Sequence, residues 1–192
     1  IEDYAFLSCI YIKELILNEG LERIGDEALF NCSWLTELTI PASVQEIGYR
    51  ALTLLQESEK IQVAEGNKTF EAKSDGVNEG KLLINKTKNS LVTCLYKGTK
   101  DVTIPEGIKI IEPYAFLSCR WTASVKLPSS VDSIGQTAFS DMRISEIEIP
   151  EKVRVIPKYS ISDCKKLTKI TLGKNVTLVE DQAFAGNDLL ET

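Results

Sequence analysis

Histidine is absent from the 192-residue sequence, which also has only 7% aromatic residues and a single methionine. Without an imidazole the chain cannot build Ser–His–Asp or Cys–His catalysis or a Cys2His2 zinc site. The 28 acidic residues outnumber the 22 basic ones, and this balance argues against a nucleic-acid surface. No segment approaches the roughly 20 apolar residues of a membrane span, and this segment contains no signal-peptide h-region. We therefore expect no catalytic residues, no cofactor, no metal and no membrane insertion in this segment.

The sequence does contain an internal repeat. An anchoring apolar residue recurs at separations of 23, 23, 64, 23, 22 and 23, at Ile1, Ile24, Ile47, Ile111, Ile134, Ile156 and Val179. Four prolines each end a strand-like segment at the same place in the repeat, where a residue without an N–H stops a sheet ladder: Pro41, Pro105, Pro128 and Pro150. A unit of this length cannot bury its own apolar face, so the repeat predicts a solenoid of stacked rungs.

Each repeat is expected to supply a strand and a short helix. In the second copy Leu38 and Ile40 alternate with Thr39, which predicts a strand that places two side chains in the core. Ala28 and Cys32 belong to an i, i+1, i+4 apolar pattern that is typical of one face of a one- to two-turn helix. The predicted fold class is therefore α/β.

The repeat resembles a known family, the BspA-like leucine-rich repeats of bacterial surface proteins. Its pattern, I-G-x-x-A-F-x-x-C-x-x-L-x-x-L-x-I-P-x-x-V-x-x-I, is matched in the second copy by Ile24, Gly25, Ala28, Cys32, Leu35, Leu38, Ile40, Pro41, Val44 and Ile47. Departures include Met142 at the cysteine position and Thr122 at a leucine position. The resemblance implies a right-handed solenoid with a curved parallel sheet and short helical turns.

One insertion interrupts the repeat between Val63 and Val102, which are 39 positions apart instead of the 23 expected from the repeat. Two β-rich runs, at 81–84 and 91–95, surround a polar turn and predict a β-hairpin that projects from one rung. The spacing of Asn67, Phe70 and Asp75-Gly76-Val77 also resembles an insert of this family. We expect residues 1–192 to form a single solenoid of about seven rungs with a hairpin insertion at about 64–100. Because the pattern is cut at both ends, we expect a fragment of a longer protein.

The five cysteines fit a core role. Cys9, Cys32, Cys119 and Cys164 occupy one inward position of the repeat, while Cys94 lies in the insertion. Free cysteine is among the most buried residue types, so a ladder of core thiols is predicted. A metal site is rejected because the C-x2-C spacing of zinc ligands is absent.

Two sets of exposed residues are candidates for binding a partner. Outward strand positions carry charges of both signs, which suit either a solvated ladder of lateral ion pairs or a ligand face: Glu37, Lys60, Gln62, Asp101, Lys126, Glu146 and Glu148. Three aromatic residues, Tyr11, Trp34 and Trp121, follow the frame cysteine by two positions and are expected at the rim before each strand. They are interpreted either as anchors for a partner or as rings that shield neighbouring rungs.

The resemblance implies a non-enzymatic, cell-surface or secreted module for adhesion or protein binding. The expected partners are host or neighbouring-cell proteins of the extracellular-matrix type, or glycans, with end-to-end or edge association open to the end rungs. The alternative is a passive structural spacer that displays another domain. An aromatic or like-charge patch contiguous over three or more rungs would favour the binder. An enzyme is disfavoured, since the sequence has no His, no convergent acid pair and no Gly-rich phosphate loop.

Overall fold

The computed structural model describes every residue from 1 to 192. It contains only strands, so there is no helix of the length and apolarity needed to cross a membrane. The strands are β1 (Arg23–Ile24), β2 (Glu37–Ile40), β3 (Glu46–Ile47), β4 (Lys60–Val63), β5 (Phe70–Lys73), β6 (Leu82–Asn85), β7 (Ser90–Cys94), β8 (Asp101–Thr103), β9 (Ile110–Ile111), β10 (Ser124–Lys126), β11 (Ser133–Ile134), β12 (Glu146–Glu148), β13 (Val155–Ile156), β14 (Lys169–Thr171) and β15 (Leu178–Val179).

Neighbouring rungs pair in parallel at two places. The longer strands pair along one side as β2–β4, β8–β10 and β12–β14, with Leu38 opposite Ile61 in the first pair. The short strands pair at the anchors, and Ile24 lies opposite Ile47. Both registers are 23 residues, the period of the sequence repeat. The alternating strand residues point into the core, where Leu38 and Ile40 are almost completely buried. The predicted solenoid is confirmed.

The predicted helical turns do not form, and the fold is all-β rather than α/β. The third and seventh residues after each anchor have positive φ, as at Glu27 (φ 50°) and Asn31 (φ 59°). Two left-handed residues four positions apart end any right-handed helix before its first turn closes. The backbone N–H groups of alternate residues instead donate to carbonyls of the next rung, as Glu27 to Tyr49 at 2.8 Å, Leu29 to Ala51 at 3.0 Å and Asn31 to Thr53 at 2.9 Å.

The helix prediction was wrong because the i, i+1, i+4 apolar spacing fits two structures equally well. Two consecutive turns also direct Ala28, Leu29 and Cys32 into the core, and all three are fully buried. A helix and a pair of turns differ here only in which carbonyl groups accept hydrogen bonds from the backbone N–H groups. In a tight stack those donors find acceptors in the adjacent rung.

The insertion lies in the wall of the solenoid instead of projecting from it. Strands β5, β6 and β7 form an antiparallel meander, and β7 then pairs in parallel with β9, placing Leu91 opposite Ile111. Strand β7 therefore takes the place of an anchor strand. Strand β6 is buried on both faces: Leu83 packs with the preceding rungs, whereas Leu82 and Ile84 pack with the following ones. The insertion is a partition between two halves of the core.

Asn67 attaches the start of this insertion to the second rung. Its buried side-chain amide donates to the carbonyls of Pro41 and Val44 at 2.8 and 3.1 Å. The amide oxygen accepts from the backbone N–H groups of Thr69 and Phe70 at 2.9 and 2.7 Å. One side chain thus pairs four backbone groups at the point where the repeat is interrupted.

The repeated glycine after the anchor has a steric cause. A Cβ added at Gly25 would lie 2.5 Å from the backbone nitrogen of Asp3 in the preceding rung, a separation that real Cβ atoms do not show. The rungs therefore lie too close together at this position to admit a side chain.

Three of the four cysteines predicted to form a core ladder are buried: Cys32, Cys119 and Cys164. All five are free thiols; four are buried, and Cys9 is partly exposed. The Cys32 thiol donates to the carbonyl of Phe6 at 3.2 Å, and the Cys164 thiol to that of Phe139 at 3.1 Å. Burial raises the pKa of the Cys164 thiol to about 11, which makes it a poor nucleophile at neutral pH. No group of three or more Cys, Asp or Glu side chains lies close enough together to hold a metal ion.

Candidate binding surface

The seven predicted strand residues all lie on the exposed side of the longer strands, but they do not form the lateral ion pairs that were one of their two interpretations. Glu37 is opposite Lys60, and Glu146 is opposite Lys169. Neither pair is within the 4.0 Å of an ion pair. Asp101 instead accepts a hydrogen bond of 2.7 Å from the Ser124 hydroxyl. The remaining members of the set are equally exposed: Gln62, Lys126 and Glu148.

A shallow depression of about 440 Å3 crosses the last three of these strands. Lys126, Glu146 and Glu148 line it, together with Glu151 and Lys169. Charges of both signs alternate there without an aromatic side chain. The surface has no uniform field that would select a ligand of one charge.

Two of the three rim aromatics pair with each other. The rings of Tyr11 and Trp34 meet edge to face with centroids 6.0 Å apart, and the Lys13 ammonium lies 5.5 Å from the Trp34 ring centroid. Such aromatic and cation–π contacts each contribute on the order of 1 kcal/mol. This geometry agrees with rings that cover neighbouring rungs.

Trp121 has no aromatic neighbour. Ser124 pairs with Asp101, so Trp121, three residues earlier, comes opposite Gly98, which has no side chain to cover the indole. Trp121 is 62% exposed, compared with 48% for Trp34 and 76% for Tyr11. The same position of the repeat thus holds a paired ring in one place and an unpaired, open ring in another.

The open ring lies in a basic depression that we call the basic patch, formed by Lys100, Arg120, Trp121, Arg143 and Lys166. The depression has a volume of about 470 Å3, and its other lining residues are Gly98 and Ala123. No carboxylate lines it. All five residues of the patch are exposed. This concentration of positive charge occurs in a protein whose formal net charge is −6.

Three of the four cations in the basic patch are unpaired. Arg120 contacts the Asp141 carboxylate, with Nε and Nη2 at 2.8 and 2.6 Å from Oδ2. Lys100, Arg143 and Lys166 make neither an ion pair within 4.0 Å nor a side-chain hydrogen bond. Their charges remain available to a ligand.

These cations were not predicted from the sequence, although a signal was present. Gly98, Trp121, Arg143 and Lys166 follow one another at separations of 23, 22 and 23, just before four successive strands. Comparing this one position across copies would have aligned them. A search restricted to outward strand positions and to aromatic residues does not find these cations.

A second aromatic cluster joins the rungs on either side of the insertion. Tyr49 and Tyr114 meet edge to face with centroids 5.3 Å apart, and the Arg50 guanidinium lies 4.6 Å from the Tyr114 ring centroid. Arg50 also contacts Glu27 at 2.9 Å. Desolvation, together with the adjacent Tyr114 hydroxyl, raises the pKa of Tyr49 to about 12. These groups pair with one another, so the cluster has a structural role in closing the gap.

Parallel β-rungs of 22–23 residues with an aliphatic core and a cysteine ladder define a leucine-rich-repeat solenoid. The chain belongs to the BspA-type leucine-rich repeat family: the model of that region matches six copies over residues 1–74 and 93–192. The family resemblance found in the sequence is confirmed. The match leaves out residues 75–92, which include strand β6 and the first part of strand β7 in the insertion. No functionally curated protein matches the sequence significantly.

Solved structures of bacterial leucine-rich repeat proteins are similar to this chain. A leucine-rich cell surface protein of Faecalibacterium prausnitzii is 26% identical with a TM-score of 0.80, covering 99% of this chain and 55% of that one. A leucine-rich repeat protein of Eubacterium ventriosum is 25% identical with a TM-score of 0.75, covering 91% and 52%. A third, from Bacteroides ovatus, is 19% identical with a TM-score of 0.54 and shows the fold alone. The chain therefore spans about half the length of these structures.

Proposed function

We propose that this chain is a non-enzymatic binding module of a bacterial cell-surface or secreted protein, with a role in adhesion. The observation that supports the proposal is the basic patch, a like-charge surface with an exposed tryptophan that is contiguous over four rungs. A passive spacer has no need of such a patch, because unpaired like charges on neighbouring rungs repel one another. The surface location is inferred from the similar Faecalibacterium protein, which is described as a cell surface protein.

A binding screen tests this proposal. The purified chain is passed over immobilised extracellular-matrix proteins and a panel of charged and neutral glycans, and binding is measured by surface plasmon resonance. A variant that replaces Arg143 and Lys166 with Ala is run beside it. We expect at least one partner whose binding weakens in the variant.

The screen also has a result that contradicts the proposal. If no partner binds, or if every binding event is the same in the parent and in the variant, the basic patch is not a binding surface. The chain would then be better described as a spacer. Circular dichroism of both proteins establishes that the variant retains the fold.

A further inference from the structure

The basic patch has a chemistry and a shape that narrow the class of its ligand. Resting on the proposed binding function, we propose that it binds a linear anionic polysaccharide, with a sugar ring on Trp121 and carboxylate or sulfate groups on the surrounding cations. The polymer would lie across the rungs, perpendicular to the strands. Three properties of the patch favour this ligand: its charge, the spacing of its cations and its small apolar area.

The charge of the site requires an anion. Lys100, Arg143 and Lys166 are exposed and unpaired, and no carboxylate lines the depression. An anionic ligand would remove the repulsion between these cations and gain charge-assisted hydrogen bonds. The guanidinium of Arg143 presents parallel N–H groups that match two oxygens of a carboxylate or sulfate group. Arg120 differs from the other three because Asp141 already occupies part of its guanidinium.

The spacing of the site favours a polymer over a single small ion. Trp121, Arg143 and Lys166 occupy equivalent places on three successive rungs, and Lys100 lies on the rung before them. Adjacent rungs of such a stack lie about 4.8 Å apart, so Trp121, Arg143 and Lys166 form a row with a regular step, and Lys100 lies two residues beyond the equivalent place on its rung. That step is comparable to the length of one pyranose unit. Consecutive sugar units could therefore place their anionic groups on consecutive rungs.

The apolar area of the site is too small for a typical protein partner. Protein interfaces rely on several buried aromatic or aliphatic anchors surrounded by a rim. Trp121 is the only large apolar side chain among the seven residues that line the depression. One exposed indole face suits the apolar face of a sugar ring, while the polar rim suits its hydroxyl groups. Gly98 leaves this face uncovered on the side of the preceding rung.

The experiment compares polymers that differ in charge and in class. Heparin serves as a sulfated polysaccharide, polygalacturonate as a carboxylated one, dextran as a neutral one and poly-glutamate as an acidic peptide. Binding of the intact chain is measured by surface plasmon resonance at about 0.1 M and about 1 M salt. The expected result is binding of heparin and polygalacturonate but not of dextran, with at least a tenfold loss at high salt because the Debye length falls from about 10 to about 3 Å.

Matched variants locate the site. Arg143→Ala with Lys166→Ala should weaken binding at least tenfold. Arg154→Ala with Lys152→Ala removes the same charges from exposed positions outside the basic patch and should leave binding unchanged. Trp121→Ser should weaken binding by about tenfold, the value of a stacking contact. Trp34→Ser, the same substitution at the equivalent repeat position, should have no effect.

Different failures have different meanings. If the chain binds a matrix protein or poly-glutamate through Arg143 and Lys166 but binds neither anionic polysaccharide, the polysaccharide inference is wrong while the binding function stands. The polysaccharide inference is also wrong if Trp121→Ser leaves heparin binding intact. If both charge variants lose binding equally, the attraction is diffuse and the patch is not the site. If nothing binds, the inference and the proposed function fail together.

Discussion

The most sensitive test of the insertion as part of the core is the replacement of Asn67 by alanine. The side chain is 6% exposed and pairs two carbonyls of the second rung with two N–H groups of the insertion. Each such hydrogen bond contributes about 0.5–1.5 kcal/mol net, and a buried group left unpaired costs more. We expect Asn67→Ala to lower the free energy of unfolding by about 2–4 kcal/mol. The loss is no larger because water can enter and pair some of the backbone groups that the amide leaves behind.

The assay is equilibrium unfolding in urea, followed by far-ultraviolet circular dichroism and by tryptophan fluorescence. Coincident transitions of the two signals are needed before a single free energy is assigned. Asn175→Ala is the matched control, because Asn175 is exposed and makes one hydrogen bond of 2.8 Å to the carbonyl of Glu151. Its loss should stay below about 1 kcal/mol.

The two variants together can refute the reasoning. If Asn67→Ala costs no more than the control, the insertion is not attached through this amide. If Asn67→Ala produces a separate early transition, the insertion unfolds alone and is not a partition of the core. The first result would contradict the role given to Asn67, and the second would contradict the role given to strand β6.

Three other predictions concern core packing, thiols and the rim. Leu83→Ala should lower the free energy of unfolding in urea by about 2–5 kcal/mol, because the side chain is fully buried. Val77→Ala, at a 77% exposed position, should lower it by under about 0.5 kcal/mol, and equal losses would contradict the two-sided burial of β6. The raised pKa of Cys164 means that the folded state keeps its thiol proton between pH 9 and about 11 while the unfolded state loses it, so the free energy of unfolding should fall as the pH rises over that range. The fall should be less steep in Cys164→Ala, and an unchanged slope would argue against thiol burial as the cause. Trp34→Ser should reduce the free energy of unfolding by about 0.5–1.5 kcal/mol more than Trp121→Ser, since only Trp34 has an aromatic partner, and the reverse order in thermal unfolding would refute the shielding role.

The sequence predicted the stacking of rungs because each copy must bury the same positions. Leu38 and Ile40 alternate with exposed residues, and the structure buries them as expected. Of the rim aromatics, Trp34 and Trp121 are exposed just before strands β2 and β10, whereas Tyr11 is exposed in a segment that forms no strand before Arg23. Periodicity carries this information because it follows directly from which side chains face the core.

Other features could not be predicted from a pattern of apolar residues. The insertion has consecutive buried residues in β6, and such a run does not reveal whether one or both faces meet a core. The basic patch depends on how rungs align laterally. A copy that is one residue short separates Trp121 from Arg143, and only the stacking of the rungs brings them into the same depression.

The sequence by itself therefore determined the repeat, its family and the inward positions, because burial repeats with the chain. The tertiary structure decided which carbonyls accept hydrogen bonds from the backbone N–H groups. Because these carbonyls lie in the next rung, the segments predicted as helices form turns. The tertiary structure also decided which side chains become neighbours. Contacts between rungs join residues about 23 positions apart, so they follow from the stacking register and not from any local spacing.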